Sequence, residues 1–549
     1  MAKTRTAAKK ETFGSRNAFI LSAIGSAVGL GNIWRFPYVA YENGGGAFII
    51  PYLVALLCAG IPLLFLDYAI GHRYGGSSPL SLARIQRWME SLGWWQVLVC
   101  VIIGIYYAVI VAWSAMYLIF SVTQQWGDDA NGFFFGNFLQ LSDEVAVGFD
   151  FVPSVFWPQL LVWAAVLVVM LLGVRKGIAG ANFVFMPLLV VMFLAMVIVS
   201  LFLPGAFDGL NAFFTPDWGA LLNPSVWAAA VGQIFFSLSV GFGIMITYSS
   251  YLRRKTDLTG SGLVVAFSNS SFEILAGIGV FAALGFMANA AGTGINDVVD
   301  AGIGLAFVAF PTIISQAPLG SLIGVLFFGS LLFAGFTSMI SIIEVVIAGV
   351  RDKLGIKRWV AVTVVVIPMA IISLMLFPTT SGLYVLDVLD AFVNQFGILA
   401  GALVMVIAVS WIARKLPLLS RHLTRLSSFP AKRLWMVLIG IIVPLALIGM
   451  LVSELISKTQ EVYGGYPAEF VAIYGWGMSI VLIIGGILLS LLPWTTRVQP
   501  VFDEEKADRE IDGIISGELA ETDEGEIEYV SLEHGEHGEH GKHGKEQGR

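Results

Sequence analysis

Residues 22–48 interrupt an apolar stretch with polar and helix-breaking residues. The segment reads SAIGSAVGLGNIWRFPYVAYENGGGAF, and its exceptions are Gly25, Gly29, Gly31, Asn32, Arg35 and Pro37. Glycine and proline weaken a helix, so we expect this helix to unwind near its middle. Unwinding frees carbonyls that can hold a cation and amides that can hold an anion. Glycines that only permit close helix packing would leave Asn32 and Arg35 unexplained.

Two later segments carry related patterns. In WAAAVGQIFFSLSVGFGIMITYSSY, residues 227–251, polar side chains again precede a pair of glycines, Gly241 and Gly243. This pattern predicts a second broken helix. The segment FAGFTSMISIIE, residues 333–344, adds Thr337 and Ser338, whose hydroxyls could instead bond only to their own helix.

The composition of the chain predicts which kind of helix positions these residues. The chain has 549 residues, of which 57% are hydrophobic and 13% charged, and its mean hydropathy is +0.82. Soluble domains carry about 25% charged residues, so this composition excludes a soluble multidomain enzyme. A helix needs about 20 mostly apolar residues to cross the bilayer core. Twelve segments qualify, beginning near residues 17, 46, 94, 155, 179, 226, 259, 319, 359, 382, 434 and 470.

The distribution of positive charge predicts the orientation of these spans. Lys and Arg concentrate at the N-terminus and in alternate loops, whereas residues 125–154 contain five acids and no base. Because basic loops stay in the cytoplasm, both termini are expected on that side of a cell inner membrane. Residues 302–320 are apolar but broken by two prolines, which favours a helical hairpin at the membrane surface. The alternative is a thirteenth span, which would place the later basic loops outside.

The acidity of the chain belongs to its C-terminal tail. The net charge is -7, yet residues 500–549 alone hold sixteen acids and five bases, a balance of -11. The tail shows no apolar periodicity, so we expect residues 498–549 to be disordered. Its histidines at every third position, His534, His537, His540 and His543, could bind a metal weakly, although a solvated low-complexity end explains them as well.

Little in the sequence indicates other classes of function. Cys58 and Cys100 both lie in apolar runs, which gives neither a disulfide framework nor zinc-ligand spacing. The histidines outside the tail, His72 and His422, fall in predicted cytoplasmic loops, away from any nucleophile in a span. We therefore expect neither an enzyme nor a nucleic-acid partner.

Three motifs resemble those of the neurotransmitter:sodium symporter family, and in particular its bacterial amino acid transporters. They are GSAVGLGNIWRFPYVAYENGGGAFIIPY, VGQIFFSLSVGFG and FAGFTS, in the expected order, and similarity runs from about residue 10 to residue 411. The resemblance implies an all-α integral membrane fold with 12 transmembrane helices, in which two five-helix inverted repeats have unwound helices 1 and 6. The implied divisions are 1–16, a cytoplasmic segment; 17–203, helices 1–5; 204–411, helices 6–10; 412–497, helices 11–12; and 498–549, the tail.

The resemblance also implies two sodium sites made of oxygen ligands. The first comprises Ala27, Asn32, Ser237 and Asn269, and is completed by the carboxylate of the substrate. The second comprises Gly25, Val28, Ala334, Thr337 and Ser338. Such neutral oxygen shells suit a monovalent ion, because Ca²⁺ and Mg²⁺ usually recruit carboxylates.

By the same resemblance, the substrate is a neutral amino acid. Family members that carry amines place an Asp at the position of Gly29, where it stands in for a substrate carboxylate. The carboxylate is expected at the Leu30 and Gly31 amides and the Tyr107 hydroxyl. The ammonium group of the substrate is expected at carbonyls of Ala27, Phe236 and Ser237 and at the Ser239 hydroxyl. The side-chain pocket comprises Ile103, Ile110, Phe236, Phe242, Ser338 and Ile342, and should select an aliphatic side chain of alanine to methionine or leucine size.

Chloride independence and two gates complete what the resemblance implies. Glu273 occupies the place where chloride-dependent members hold the anion. Arg35 and Asp390 form an outer gate, and Asp352 pairs with the N-terminal segment at an inner gate. In that segment Lys10 and Phe13 stand where the family usually has Arg and Trp. A lysine cannot make the two parallel hydrogen bonds that an arginine makes to a carboxylate, so the inner pair lacks this bidentate contact. Asp67 and Ser26 also depart from the usual residues.

The predicted function is sodium-coupled uptake of a neutral amino acid by alternating access, without chloride. Two alternatives remain at this point, a non-transporting amino acid sensor that signals through the tail and a proton-coupled carrier. The expected partners are the substrate and the lipid bilayer. A small accessory subunit is left open, as are the preferred amino acid, the ion count and the oligomeric state.

Overall fold

A computed structural model describes residues 11–298, 302–496, 498, 500–522 and 527–529. Nearly all regular structure is helical, as the sequence predicts. The helices of the first half are α1 (Arg16–Ala27), α2 (Leu30–Glu42), α3 (Gly46–Tyr74), α4 (Ser78–Ile85), α5 (Arg87–Thr123), α6 (Pro153–Leu171), α7 (Val174–Leu201), α8 (Ala206–Phe214), α9 (Pro224–Ser237) and α10 (Ile244–Ser250).

The second half continues the same pattern. Its helices are α11 (Leu258–Ala291), α12 (Gly302–Gln316), α13 (Gly320–Leu354), α14 (Arg358–Leu376), α15 (Gly382–Ile412), α16 (Leu416–Leu426), α17 (Arg433–Gly465), α18 (Ala468–Leu491) and α19 (Glu504–Ser516). The strands β1 (Leu519–Glu521) and β2 (Ile527–Tyr529) form an antiparallel pair. Shorter helical turns lie at Gly132–Phe138, Trp218–Leu222 and Ile295–Asp297.

Ten helices within the described ranges are long and apolar enough to cross a membrane, and α1 with α2 makes an eleventh candidate. In their most apolar stretches, 89% of α13 and 78% of α5 is buried inside the protein, against 33% of α6, α7, α14 and α18. Helices α5 and α13 therefore form the centre of the bundle. The peripheral helices leave apolar side chains on the outside, where lipid can cover them. The chain is thus a multi-pass membrane protein.

The two predicted helix breaks are present. Helices α1 and α2 meet at an angle of 54°. Helices α9 and α10 are separated by residues 238–243, which have no helical structure. The 302–320 segment is too short to span: it forms the single helix α12, and the chain turns at residues 317–319 into α13.

The C-terminal segment corrects one expectation. Residues 498–549 are expected to be disordered, whereas residues 504–516 form α19 and residues 519–521 pair with 527–529. Ala507, Ile511 and Ile514 make a short apolar stripe at helical spacing, and all three are buried. In the sequence, these apolar residues are separated mostly by charged ones, so the stripe is not apparent. The four tail histidines lie outside the described residues.

Candidate functional site

The first helix break is shaped by its own sequence. Helix α1 ends at Ala27, and Gly29 has extended backbone angles, φ -125° and ψ -165°. The side chain of Asn32 folds back and accepts a hydrogen bond from the Gly29 amide at 2.9 Å. This contact stabilises the start of α2 and turns the Asn32 side chain toward the break.

The second break is held open by residues from neighbouring helices. Ser239, Gly241 and Gly243 have positive φ angles of 53°, 84° and 91°, a conformation that glycine adopts at low cost. The Gly241 amide donates to Asp67 Oδ2 at 3.0 Å, and its carbonyl accepts from Gln96 Nε2 at 2.9 Å. Backbone groups freed by the break are thereby satisfied within the protein.

The two breaks face each other. Ser239 Oγ donates to the Ser26 carbonyl at 2.9 Å, which joins the second break to the end of α1. Asn32 Nδ2 donates to Asn269 Oδ1 at 2.8 Å, and the Asn269 amide contacts Ser237 Oγ. The residues expected at the first sodium site therefore form one buried cluster of neutral oxygens and amides, beside Ala27.

A second cluster joins α13 to α1. Ser338 Oγ lies 3.4 Å from the Gly25 carbonyl and 3.3 Å from the Ser26 carbonyl. Thr337 Oγ1 donates within its own helix, to Phe333 and Ala334 carbonyls. Thr337 thus bonds within its own helix, while Ser338 brings α13 close to α1. Val28, the fifth residue expected at the second sodium site, follows directly on α1 at the break.

Glu273 is a buried acid surrounded by hydrogen-bond donors. Its Oε2 accepts from the Tyr52 hydroxyl, and its Oε1 accepts from Gln233 Nε2 at 2.6 Å. All three residues have no exposed surface. The carboxylate lies one helical turn from Asn269 on α11, next to the first cluster.

A cavity of about 430 Å³ lies between the two breaks. All thirteen residues expected at the substrate line it: Ala27, Gly29, Leu30, Gly31, Ile103, Tyr107, Ile110, Phe236, Ser237, Ser239, Phe242, Ser338 and Ile342. The backbone and hydroxyl groups come mostly from the breaks, and the isoleucines come from α5 and α13. The cavity therefore has a polar part and an apolar part.

Two glycines leave no room for a side chain. A Cβ on Gly29 would lie 2.9 Å from Ser338 Oγ and 3.4 Å from the Tyr107 hydroxyl. A Cβ on Gly31 would lie 2.1 Å from Cε1 of Phe236. Glycine is thus required at both positions by the close approach of neighbouring side chains. An unusual backbone conformation is not the reason, because the backbone angles of both glycines are ordinary.

Replacing Gly31 with Ala should displace the Phe236 ring, over which the Arg35 guanidinium lies at 4.7 Å. Overpacking costs about 1–3 kcal/mol, so substrate dissociation should become about tenfold faster. The measurement is the off-rate of a bound radiolabelled neutral amino acid, the substrate class expected from the sequence. Gly180→Ala is the matched control, because nothing lies within 4 Å of its added Cβ. Equal off-rates in the two variants would contradict the contact.

One end of the cavity reaches Asp390 on α15. Asp390 Oδ1 accepts from the Tyr106 hydroxyl at 2.6 Å and from Asn394 Nδ2 at 3.0 Å. Arg35 lies nearby, over Phe236. Sequence reasoning missed Tyr106 and Asn394, although the polar residue one turn after Asp390 was a usable signal.

A cluster of aromatic side chains joins the N-terminal segment to α10. The Phe13 ring packs against Phe19, Tyr248 and Tyr251, with centroids 5.2–6.1 Å apart. The Tyr251 hydroxyl donates to Glu344 at 2.7 Å. Sequence reasoning missed this network, because its members come from three segments that are far apart in the chain.

The expected inner-gate residues are only partly described. Asp352 accepts from the Ser77 amide at 2.8 Å and lies 3.4 Å from the Arg351 guanidinium. Lys10, its expected partner, lies outside the described residues. The pairing of the two therefore stays a prediction.

The sequence matches the profile of the sodium:neurotransmitter symporter family over residues 10–132 and 125–496. The chain belongs to this family. The resemblance found in the sequence is confirmed, and the transporter is a membrane symporter rather than an enzyme. Most of the chain, including both breaks and the cavity, lies within the match.

Relatives of the transporter come from distant organisms. An uncharacterized sodium-dependent transporter of Methanocaldococcus jannaschii is 39% identical over 481 residues, covering 87% of this chain and 97% of its own length. The sodium-dependent dopamine transporter of Bos taurus is 31% identical over 89% of this chain and 76% of its own. The sodium- and chloride-dependent glycine transporter 2 of Xenopus laevis is 28% identical over 84% and 66%.

Proposed function

We propose that this transporter couples sodium entry to uptake of a neutral aliphatic amino acid by alternating access, without chloride. The observation that carries the proposal is the meeting of two broken helices at one cavity with a polar and an apolar part. A small zwitterion with an apolar side chain matches both parts. The names of the relatives, which include sodium-dependent transporters of dopamine and glycine, support sodium coupling.

Two sodium ions are co-transported in this proposal. The first binds the Ala27 carbonyl, Asn32, Ser237 and Asn269, and the second binds the carbonyls of Gly25, Val28 and Ala334 with the hydroxyls of Thr337 and Ser338. The hydrogen bonds that gather these groups support the assignment. All the proposed ligand atoms are neutral oxygens. Such a shell suits a monovalent ion better than a divalent one.

The main chain of the substrate binds at the helix breaks. Its carboxylate meets the Leu30 and Gly31 amides, at the positive N-terminal end of α2, and the Tyr107 hydroxyl. Its ammonium meets the carbonyl ends of α1 and α9 and the Ser239 hydroxyl. Because the carboxylate also completes the first ion shell, sodium and substrate raise each other's affinity equally.

The side chain of the substrate occupies the apolar part of the cavity. Ile103, Ile110, Phe242 and Ile342 line it. Burial of each methylene contributes about 0.8 kcal/mol, which favours larger aliphatic side chains until the space is filled. Among the described residues, those that line this part carry no acidic or basic side chain that could neutralise a charged substrate.

Glu273 replaces chloride in this proposal. Its carboxylate supplies a negative charge next to the first ion site, and Tyr52 and Gln233 hold it there. A buried acid without a neighbouring cation would be costly, so a sodium ion close by accounts for its presence.

Alternating access requires one gate on each side. Arg35, Asp390 and the Phe236 ring close the outer side, and Phe13 with Asp352 and Lys10 closes the inner side. The cavity reaches Asp390, the acid of the outer pair, which supports an outward-facing arrangement. Each charge that moves inward across 100 mV contributes about 2.3 kcal/mol to uptake.

The remaining architecture is proposed from the same family pattern. Twelve spans result if α1 with α2 and α9 with α10 each count as one. Residues 17–203 and 204–411 are the inverted repeats, and 412–497 adds helices 11 and 12. The positive charge of alternate loops supports a location in a cell inner membrane with both termini in the cytoplasm.

A binding competition tests the substrate class. Each of the twenty amino acids competes with a labelled neutral amino acid on the purified transporter, with and without sodium. We expect aliphatic neutral amino acids to compete only with sodium present. Competition by Lys, Asp or Glu, or competition indifferent to sodium, would contradict the proposal.

Asn269→Ala should weaken sodium binding. The substitution removes one ligand oxygen and the partner of Asn32, and a lost buried polar contact costs about 1–3 kcal/mol. The sodium concentration for half-maximal substrate binding should rise about tenfold or more. Asn131→Ala, at an exposed position, is the control. An unchanged sodium dependence for Asn269→Ala would remove this residue from the first site.

A further inference from the structure

A second cavity, of about 420 Å³, lies beside the first. It is formed by α2, α9, α15 and α17, and Phe236, Asn394 and Ile398 line both cavities. These three residues therefore separate the two spaces. Arg35 lines the second cavity, with its guanidinium 4.7 Å from the centre of the Phe236 ring. The base of the proposed outer gate thus faces the second cavity.

Glu454 is the one acid among the described residues that line this second cavity. It belongs to α17, where the segment LVSELISK, residues 451–458, places it within an apolar run. An acid in a membrane-spanning helix is costly unless a cation or water faces it. Arg35 is the one base among the described residues that line the same cavity. The acid and the base therefore share one space.

Both of these charged groups are without a direct partner. In the part of the chain that the structure describes, neither the Arg35 guanidinium nor the Glu454 carboxylate makes a hydrogen bond or a close ion pair. Asp390, the expected partner of Arg35, instead accepts hydrogen bonds from Tyr106 at 2.6 Å and from Asn394 at 3.0 Å. The Arg35 side chain is thus free to approach either carboxylate.

Three carboxylates act on Arg35 electrostatically, those of Asp390, Glu454 and Glu273. Glu273 is held by its two buried donors next to the proposed first ion site. Two carboxylates remain as partners for the guanidinium. One of them, Asp390, lines the first cavity, and the other, Glu454, lines the second. Arg35 therefore lies between two competing acids.

We propose that Glu454 is a second partner of Arg35, which keeps the outer side of the first cavity open until the guanidinium moves to Asp390. The inference rests on the outer gate of the proposed function and adds to it a positioning residue from α17, outside both proposed repeats. Because one guanidinium serves both acids, a change that removes one acid shifts the population toward pairing with the other. Removal of the Glu454 charge should therefore favour closure.

The Phe236 ring supports this movement. A guanidinium over an aromatic face is attracted to it whichever way its donors point. Phe236 lines both cavities, so Arg35 can exchange Glu454 for Asp390 while it stays over the ring. The exchange requires a change of side-chain rotamer and no rearrangement of α2.

Lys458 is the competing partner for Glu454. It lies one helical turn further along α17, a spacing at which acids and bases pair on a helix. Its ammonium lies 4.2 Å from the centre of the Tyr463 ring. If Lys458 were the functional partner, Lys458→Gln would have the same effect as Glu454→Gln. If Arg35 is the partner, Lys458→Gln leaves Glu454 to Arg35 alone and should not favour closure.

A thiol in the first cavity reports whether the outer side is open. Ile103 lines that cavity on α5, and 6% of its surface is exposed. The reporter chain carries Ile103→Cys together with Cys58→Ala and Cys100→Ala, which remove both native thiols. A membrane-impermeant maleimide is added to right-side-out membrane vesicles without substrate. The labelling rate then measures access from the outside.

Glu454→Gln should slow labelling of the reporter chain about fivefold or more, the lower range of coupling between distant sites. Glu454→Asp keeps the charge and should restore most of the rate. Glu461→Gln, at an exposed position seven residues further along, is the control and should leave the rate unchanged. Misfolding would expose the thiol and speed labelling, so it cannot imitate the expected result.

A double substitution tests the path of the effect. In a chain that already carries Asp390→Asn, the guanidinium has no second acid to move to, and Glu454→Gln should then change the labelling rate little. Equal rates for Glu454→Gln and the reporter chain would overturn the proposal. It would also be overturned by slowing that persists with Asp390→Asn, that Glu454→Asp does not relieve, or that Lys458→Gln reproduces.

The labelling comparison is independent of transport. It uses neither substrate nor a sodium gradient. Failure of sodium-driven uptake would therefore overturn the proposed function and leave the labelling rates valid. Unchanged rates in a chain that does accumulate amino acids would overturn the role of Glu454 alone.

Discussion

Replacing Glu273 with Ser should make uptake depend on chloride. The substitution removes a buried carboxylate but leaves its two donors, the Tyr52 hydroxyl and the Gln233 amide, pointing into the vacated space. Unsatisfied buried donors cost about 1–3 kcal/mol each, and the negative charge next to the proposed first ion site is also lost. In chloride-free buffer, uptake should fall at least about tenfold, and added chloride should restore it.

The measurement is sodium-driven uptake with chloride replaced by gluconate. The unsubstituted chain and Glu469→Ser, an exposed acid at the start of α18, should be indifferent to the anion. If Glu273→Ser transports equally well in both buffers, or chloride does not restore it, Glu273 does not take the place of an anion. Loss in both buffers with intact folding would assign the residue to structure instead.

Replacing Gly29 with Asp should abolish binding of amino acids. The added Cβ would lie 2.9 Å from Ser338 Oγ, and the new carboxylate would occupy the space proposed for that of the substrate. Both the collision and the like charge act against a zwitterion. The Kd should rise at least about a hundredfold, equivalent to about 2.7 kcal/mol.

Gly136→Asp is the matched control, because nothing lies within 4 Å of a Cβ at that exposed position. Equilibrium binding of a labelled neutral amino acid in saturating sodium compares the two variants. Retained binding by Gly29→Asp would show that the substrate carboxylate binds elsewhere.

The sequence predicts the helix breaks because the signal is local. Glycines at 29, 31, 241 and 243 interrupt apolar runs, and their effect on a helix depends on neighbours within a few residues. The positions of the residues expected at the substrate follow from the motif match, and the structure brings all thirteen to one cavity.

Partners from distant segments are harder to predict. Asp390 is identifiable in the sequence, but its contact with Tyr106 joins residues 284 positions apart. Asp67 is likewise visible as an acid in a span, whereas its contact with the Gly241 amide depends on the unwound backbone of the second break. Neither contact leaves a periodic pattern.

The C-terminal helix shows how composition can mislead. Residues 500–549 are acidic overall, and that average favours disorder. Helix α19 is stabilised by ion pairs with Arg73, Lys415 and Arg425, which belong to other parts of the chain. Its own sequence therefore does not show what it packs against. Local charge therefore has to be weighed against the charge of the surface it faces.

The most direct test of the central claim is uptake of labelled neutral amino acids into proteoliposomes under an inward sodium gradient. Sodium is replaced by potassium or choline in the comparison, at equal ionic strength and with the pH equal on both sides. We predict accumulation with sodium and none above empty vesicles without it. Undiminished uptake in potassium or choline would contradict sodium-coupled symport.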